Sequence, residues 1–339
     1  MCTHLSIPKS SGVPIVTARS LDFDRVAPSV VSWVPKGANF PQSPGSGYAT
    51  WTTTYGFVAA GIEDEAWYMD GLNDQGVSFG SLWLPGTTYP APASSNNISA
   101  LDVSSYVLGM AASAQQAAQL LLGLTIVAPP ATFSIPLHYV IADATGSCIV
   151  IELSMNGTQQ VQTAYPVPNG VVTNAPPYPS QVDGVTNYVN LTTNNNPTQV
   201  WGQQTNGSGM VGLPGDATPP SRFVRASLML RSQYVPAAST EWPTVAMDQN
   251  AIAFASELLR TVMVPRGTAV NNPSNDKLLG DFTQWTVVRD HTNLNYYFSC
   301  AWNQGLSLVQ LSELGSASAA STSIVQSNWC TDVTTSLGG

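Results

Sequence analysis

The chain opens in a strand. Residues 2–8 and 13–19 read as two strands around the turn Lys9-Ser10-Ser11-Gly12, which puts the extreme N-terminus inside a sheet. Chain ends fray unless something ties them down, so a fold that starts this way has a use for its first backbone groups. The residue concerned is Cys2. A cysteine at a free N-terminus carries its own base, an α-amino group with an ordinary pKa of about 7.7–8.0, and its thiolate is a nucleophile. Methionine aminopeptidases accept small second residues, so loss of Met1 is all that is needed to expose it.

Further along, the run 66–72 meets 77–84 across Asn73-Asp74-Gln75-Gly76, and His138 to Ala142 meets Cys148 to Leu153 across Asp143-Ala144-Thr145-Gly146; both read as hairpins. Ala- and Leu-rich sequence from Val103 to Leu122 predicts a helix, as do 221–233 and 248–263. Between them, 176–215 is dense in Asn, Pro, Gly and Thr and reads as a long loop, closed by a turn at Leu213-Pro214-Gly215-Asp216. The runs 284–290, 296–302 and 306–311 form a three-strand meander. Strands early and late with helices between them predict a layered α+β fold with antiparallel sheets, and residues 2–339 are expected to form a single domain.

Composition narrows the partners. Hydrophobic residues make up 43% of the chain and charged ones 9%, against a usual ~25%, so Ser, Thr, Asn, Gln and Gly must cover the surface. With a net charge of −9 and 11 unclustered Lys plus Arg, neither nucleic acid nor an anionic membrane surface is an expected partner. No apolar run reaches the roughly 18 residues of a spanning helix. The sequence as it stands predicts a cytoplasmic protein, or an exported one if Met1 replaces a removed signal peptide. Cys2, Cys148, Cys300 and Cys330 lack metal-ligand spacing, and no phosphate- or dinucleotide-binding motif is present, so no metal or cofactor is expected. Cys148 and Cys300 read as small buried hydrophobes, though Cys300 and Cys330 could pair in an oxidising compartment.

Five segments, in order, carry a family likeness: Met1-Cys2-Thr3 with Thr17-Ala18-Arg19-Ser20-Leu21-Asp22-Phe23-Asp24; Asp70-Gly71-Leu72-Asn73-Asp74-Gln75-Gly76; Val172-Thr173-Asn174-Ala175-Pro176; Gly212-Leu213-Pro214-Gly215-Asp216; and Ser221-Arg222-Phe223-Val224-Arg225. Together they resemble the choloylglycine hydrolase family of N-terminal nucleophile hydrolases, which contains conjugated bile salt hydrolases and penicillin V acylases. The resemblance implies an αββα sandwich of two antiparallel sheets between helix layers, no cofactor, a small acyl-amide substrate and a homotetramer or dimer. It assigns Cys2 as nucleophile, Arg19 as the cation beside the sulfur, Asp22 as the carboxylate holding the α-amino group, Asn174 as an oxyanion donor and Arg222 as the second arginine. Asp24 and Arg225 are the alternatives for Asp22 and Arg222.

Three features of this pattern carry expectations of their own. Arg19 and Asp22 are three apart, so on a flat strand they face opposite ways, which predicts a bend at Ser20 or Leu21. Arg222, in the first turn of a helix, sits where the macrodipole disfavours a cation, and an anionic neighbour would explain it. Where the family's bile salt hydrolases have Asn, this chain has Trp83, which with Phe23 predicts an aromatic-walled pocket suited to aromatic or long-chain acyl groups. The alternatives are bile salt hydrolysis, N-acyl-homoserine lactone cleavage, or a non-catalytic relative. His4, His138 and His291 match no catalytic position and read as strand or turn residues.

Overall fold

The runs Phe57-Val58-Ala59-Ala60 and Tyr139-Val140-Ile141 are apolar without a break, a pattern that needs cover on both faces. The computed structural model, which describes residues 1–24, 26–41, 45–62, 67–129, 135–194, 198–200, 202–205, 209–232, 245–270, 280–327 and 330, shows how they get it. Val58, Ala60 and Val140 join an apolar cluster that fills the space between two sheets, while Phe57, Ala59, Tyr139 and Ile141 join a second that seats helices behind.

Sheet I runs Val171–Val172, Cys2–Ser6, Val16–Phe23, Phe282–Asp290, Asn295–Cys300, Asn303–Gln310. Sheet II runs Gln159–Pro166, Cys148–Asn156, Leu137–Ala142, Ser78–Trp83, Tyr68–Asn73, Phe57–Ile62, Ser29–Val34, Ala320–Ser323. Pairing within both is antiparallel. Helices α1 (Val103–Met110) and α2 (Ala114–Leu122) cover sheet II; α4 (Pro219–Arg231) and α5 (Met247–Arg260) cover sheet I, with α3 (Tyr178–Val185) packed on α4. These four layers make the αββα sandwich of the N-terminal nucleophile hydrolases. No described helix is long and apolar enough to cross a membrane.

Three expectations need correction. The single helix at 103–122 is two, because Ser113 caps a new start: its hydroxyl accepts from Gln116 N at 3.1 Å while Gln116 Oε1 accepts from Ala112 N at 2.7 Å. Asn73 takes up the end of α1, donating to the carbonyls of Leu108 and Ala111 at 2.9 and 2.8 Å. The segment 176–215 is not all loop, since it contains α3, with Pro179 at its second position where no N–H is needed, and the short hairpin Thr198–Val200 with Gln203–Thr205. Finally, the strand Val16–Phe23 does not bend at Ser20 or Leu21. Arg19 and Asp22 stay on opposite faces, and the irregularity lies in the neighbouring strand, where Gln284 is the extra residue between the pairs Thr283–Asp22 and Trp285–Leu21. Of the last predicted segments, residue 66 of the first hairpin and 233 of the helix 221–233 lie outside the described residues.

One buried imidazole latches the sheets together. His291, just after the strand Phe282–Asp290, donates from Nδ1 to Gly76 O, in the turn joining two strands of sheet II, at 2.8 Å, and its Nε2 meets Thr17 Oγ1 of sheet I at 2.9 Å. Gly76 turns there with φ +75°, and a Cβ would lie 2.8 Å from His291 O. Burial lowers the His291 pKa to about 4. The unfolded chain takes up this proton near the ordinary value of 6.5 and the folded one only near 4, so the unfolded state binds more protons in between and stability falls as pH drops through that window. Urea unfolding should show the native state losing roughly 3 kcal/mol on this account between pH 7 and pH 4. The loss should be smaller in His291→Gln, and an equal loss in both proteins would assign it to other groups.

Candidate active site

The N-terminal strand is held on both sides, His4 opposite Val172 in one neighbour and Arg19 in the other. Cys2 lies opposite Leu21. Even Met1 is paired: its carbonyl accepts from Asp22 N at 2.7 Å and its ammonium donates to Asp22 O. The position of Cys2 is therefore fixed by main-chain bonds, and alternation sends Sγ to the face between the sheets, with Arg19 and His4, while Thr3, Ser20 and Asp22 face the helices.

On the inner face, the buried Arg19 places Nη2 3.4 Å from Cys2 Sγ and donates to Ser81 O at 2.5 Å; Nη1 lies 3.4 Å from Asp70 Oδ2. Its guanidinium sits 5.2 Å from the centroid of the Trp285 ring. Burial works against the charge, but Cys2 and Asp70 outweigh it and hold the Arg19 pKa above its ordinary value. The side chain fits because position 80 is Gly: a Cβ there would meet Arg19 Cδ at 3.1 Å. Asp70 also pairs with Arg289 Nη2 at 3.0 Å and accepts from Tyr296 at 3.0 Å. Asp70 belongs to one of the motifs, but nothing in its spacing indicated that it backs Arg19.

Facing the helices, Asn174 is the junction. Its Oδ1 accepts from Cys2 N at 2.7 Å and from Arg222 Nη2 at 2.9 Å, and its Nδ2 donates to Trp83 O at 2.7 Å. A guanidinium can only donate, which fixes the end of the amide that faces it. Arg222 also donates to Cys2 O at 2.8 Å and to the Thr3 hydroxyl, while Nε is taken by Ala217 O at 2.9 Å. Its anionic neighbour is Asp22, 3.5 Å away. Burial lowers the Arg222 pKa, and Asp22 acts against that. The Asp22 carboxylate accepts from Thr283 at 2.5 Å and Ser20 at 3.3 Å; with Met1 attached, the Cys2 nitrogen is held by Asn174. Arg225 bonds elsewhere, to Thr261 O, Pro214 O and Asp216 O, so Arg222 is the arginine that reaches Cys2.

Support for Asn174 comes from residues to which the sequence assigned no role at the site. Gln181 of α3 donates to Asn174 O and Pro176 O at 2.5 and 2.6 Å and accepts from Thr173 Oγ1. His138 donates to Thr173 O at 3.0 Å. The signal for Gln181 lay in a segment whose composition hides α3.

Cys2 opens on a cavity of about 580 Å³. Phe23 and Trp83 both line it, at 38% and 41% exposure, with Met69, Ile135 and Leu137 adding apolar wall. Asp24 and Asp281 line it too, and so does Met1. The other cysteines are free; burial pushes Cys148 up to about 11, which keeps it a thiol, and Cys330 is exposed. His4 is pushed well below its ordinary value by burial and so stays neutral. Among the described residues no group of three His, Cys, Asp or Glu forms a metal-ligand set.

The chain is similar to known proteins. The chain is 29% identical over 244 residues to a bile salt hydrolase/transferase of Clostridium perfringens, covering 68% of this chain and 71% of that protein. It is 27% identical over 326 residues to the penicillin V acylase of Pectobacterium atrosepticum, covering 91% and 80%. In structure it matches the penicillin V acylase from Agrobacterium tumefaciens with a TM-score of 0.73 at 25% identity, over 94% of this chain and 90% of that one. Residues 2–321 match the linear amide C–N hydrolases of the choloylglycine hydrolase family. The chain therefore belongs to the choloylglycine hydrolase family and is a hydrolase of linear amide C–N bonds.

Proposed function

We propose that Cys2, once freed from Met1, is the nucleophile of a penicillin V acylase-like amidohydrolase that cleaves aromatic or long-chain acyl amides through a thioester. The observation that carries this reading is the placement of Cys2 Sγ beside Arg19 Nη2, at 3.4 Å, on the wall of the apolar cavity. In the proposed cycle the Cys2 α-amino group takes the thiol proton as sulfur attacks the substrate carbonyl, and returns it to the departing nitrogen. Water then attacks the thioester with the same amine as base, releasing the acid and restoring the thiol. The fixed guanidinium of Arg19 favours negative charge on sulfur by direct attraction.

Charge building on the carbonyl oxygen needs donors already in place. Ser81 O and Trp83 O both turn toward the site, and in a strand a residue's N–H points to the same edge as its C=O, so the Trp83 N–H faces the site as well. That N–H and the second hydrogen of Asn174 Nδ2 form the proposed oxyanion hole. Arg222 acts through Asn174 and Asp22, and Asp22 is left to hold the new amine when Met1 departs.

Three outcomes are expected. Intact mass should show active enzyme beginning at Cys2, because an acylated nitrogen accepts no proton; full turnover by a species carrying Met1, or by Cys2→Ala, would rule out the mechanism. Asn174→Ala should lower kcat by about two orders of magnitude with a smaller change in KM, since an oxyanion donor acts mainly in the transition state. An unchanged kcat would remove Asn174 from that role. For substrate choice, the ring of Trp83 narrows the cavity and offers a flat apolar face, so kcat/KM should favour penicillin V over glycocholate, and Trp83→Asn should reduce the preference. Faster glycocholate cleavage by the parent enzyme would refute it.

A further inference from the structure

The uncut chain carries a ligand of its own. Met1 lies in the cavity with its ammonium 3.4 Å from Asp281 Oδ2 and donating to Asp22 O, and it is bonded to the nitrogen that the proposed cycle uses to protonate the departing amine. A group that receives a proton from that nitrogen has to come within about 3 Å of it. The departing amine thus enters the volume that Met1 occupies beforehand.

The charged side chains described as lining that volume are acidic. Asp281 is only 8% exposed, and burial raises its pKa while the Met1 ammonium opposes the rise. Asp22 and Asp24 line the same cavity; Asp22 is offset by Arg222, whereas no described residue lining the cavity is Lys, Arg or His. When Met1 leaves, Asp281 loses the cation it held.

We propose that the space vacated by Met1 is the leaving-amine subsite and that Asp281 makes it select substrates with a positive charge two or three bonds from the scissile nitrogen, with a neutral group there next and an anion there last. The proposal rests on Cys2 being the nucleophile. A cation two or three bonds from the scissile nitrogen replaces the Met1 ammonium on Asp281, while a carboxylate or sulfonate there meets buried like charge, which is costly.

The test holds the acyl group constant. Phenoxyacetyl amides of glycine, glycinamide and ethylenediamine place an anion, a neutral group and an ammonium at one distance from the scissile bond. With processed enzyme at low salt, kcat/KM should rise in that order, the cationic amide exceeding the anionic one by about a hundredfold, and the ratio should shrink with added salt. Asp281→Asn should compress it to about tenfold or less. Independently of any variant, ethylenediamine should inhibit the parent enzyme competitively at lower concentration than glycine. Equal rates for the three amides, a preference for the anion, or an Asp281→Asn enzyme slowed equally on all three would overturn the subsite and leave the hydrolysis intact. If none of the three is cleaved, the nucleophile reading itself fails.

Discussion

A guanidinium sealed between two sheets is the interaction on which the rest of this structure depends. Withdrawing one charge from water costs several kcal/mol, and the group is tolerated only when its surroundings return most of that. Arg19 is fully buried, and it is met by Asp70, by the Ser81 carbonyl, by the Trp285 ring and by the Cys2 sulfur. These four partners come from four different strands, and two of them from the opposite sheet. The arginine therefore fixes the spacing of the sheets and the place of the nucleophile together, and neither can drift without stranding a buried cation.

A second, independent set of bonds works from the helix face. Asn174, Arg222 and Asp22 gather the end of the Val171–Val172 strand, the start of α4 and the strand Val16–Phe23 around the first peptide of the chain. The start of α4 is itself held by Asp216, whose carboxylate accepts from Thr218 and Ser221 and is lowered to about 2 by those bonds. Arg225 grips the turn before it. Of the two arginines in the Ser-Arg-Phe-Val-Arg segment, one thus anchors the platform and the other reaches from it to Cys2.

That division shows what the sequence could convey and what it could not. Strand parity alone indicated that Arg19 and Asp22 face opposite ways, but it suggested a bend as the remedy; in the fold both faces are used, because Arg19 meets the Cys2 side chain between the sheets while Asn174 and Arg222 hold its backbone from the helix side. Arg222 and Arg225 are three apart on one helix, and only the rotation set by Asp216 and Thr261 separates them. The break before α2 was written in the Ser113 to Gln116 spacing, yet the Ala- and Leu-rich run around it spoke for one helix. Gln181 was hidden for the opposite reason, since Pro, Gly and Asn on either side mask an eight-residue helix.

Gly80 contributes no functional group, and its consequence is out of proportion to that. The arginine reaches the sulfur through a gap one methyl wide, with 3.1 Å between Arg19 Cδ and the place where a Cβ would stand. A side chain at 80 crowds the arginine stem, which must then give by a few tenths of an ångström. A residue with no chemistry of its own would then score, in a functional screen of every position, beside the residues that have it.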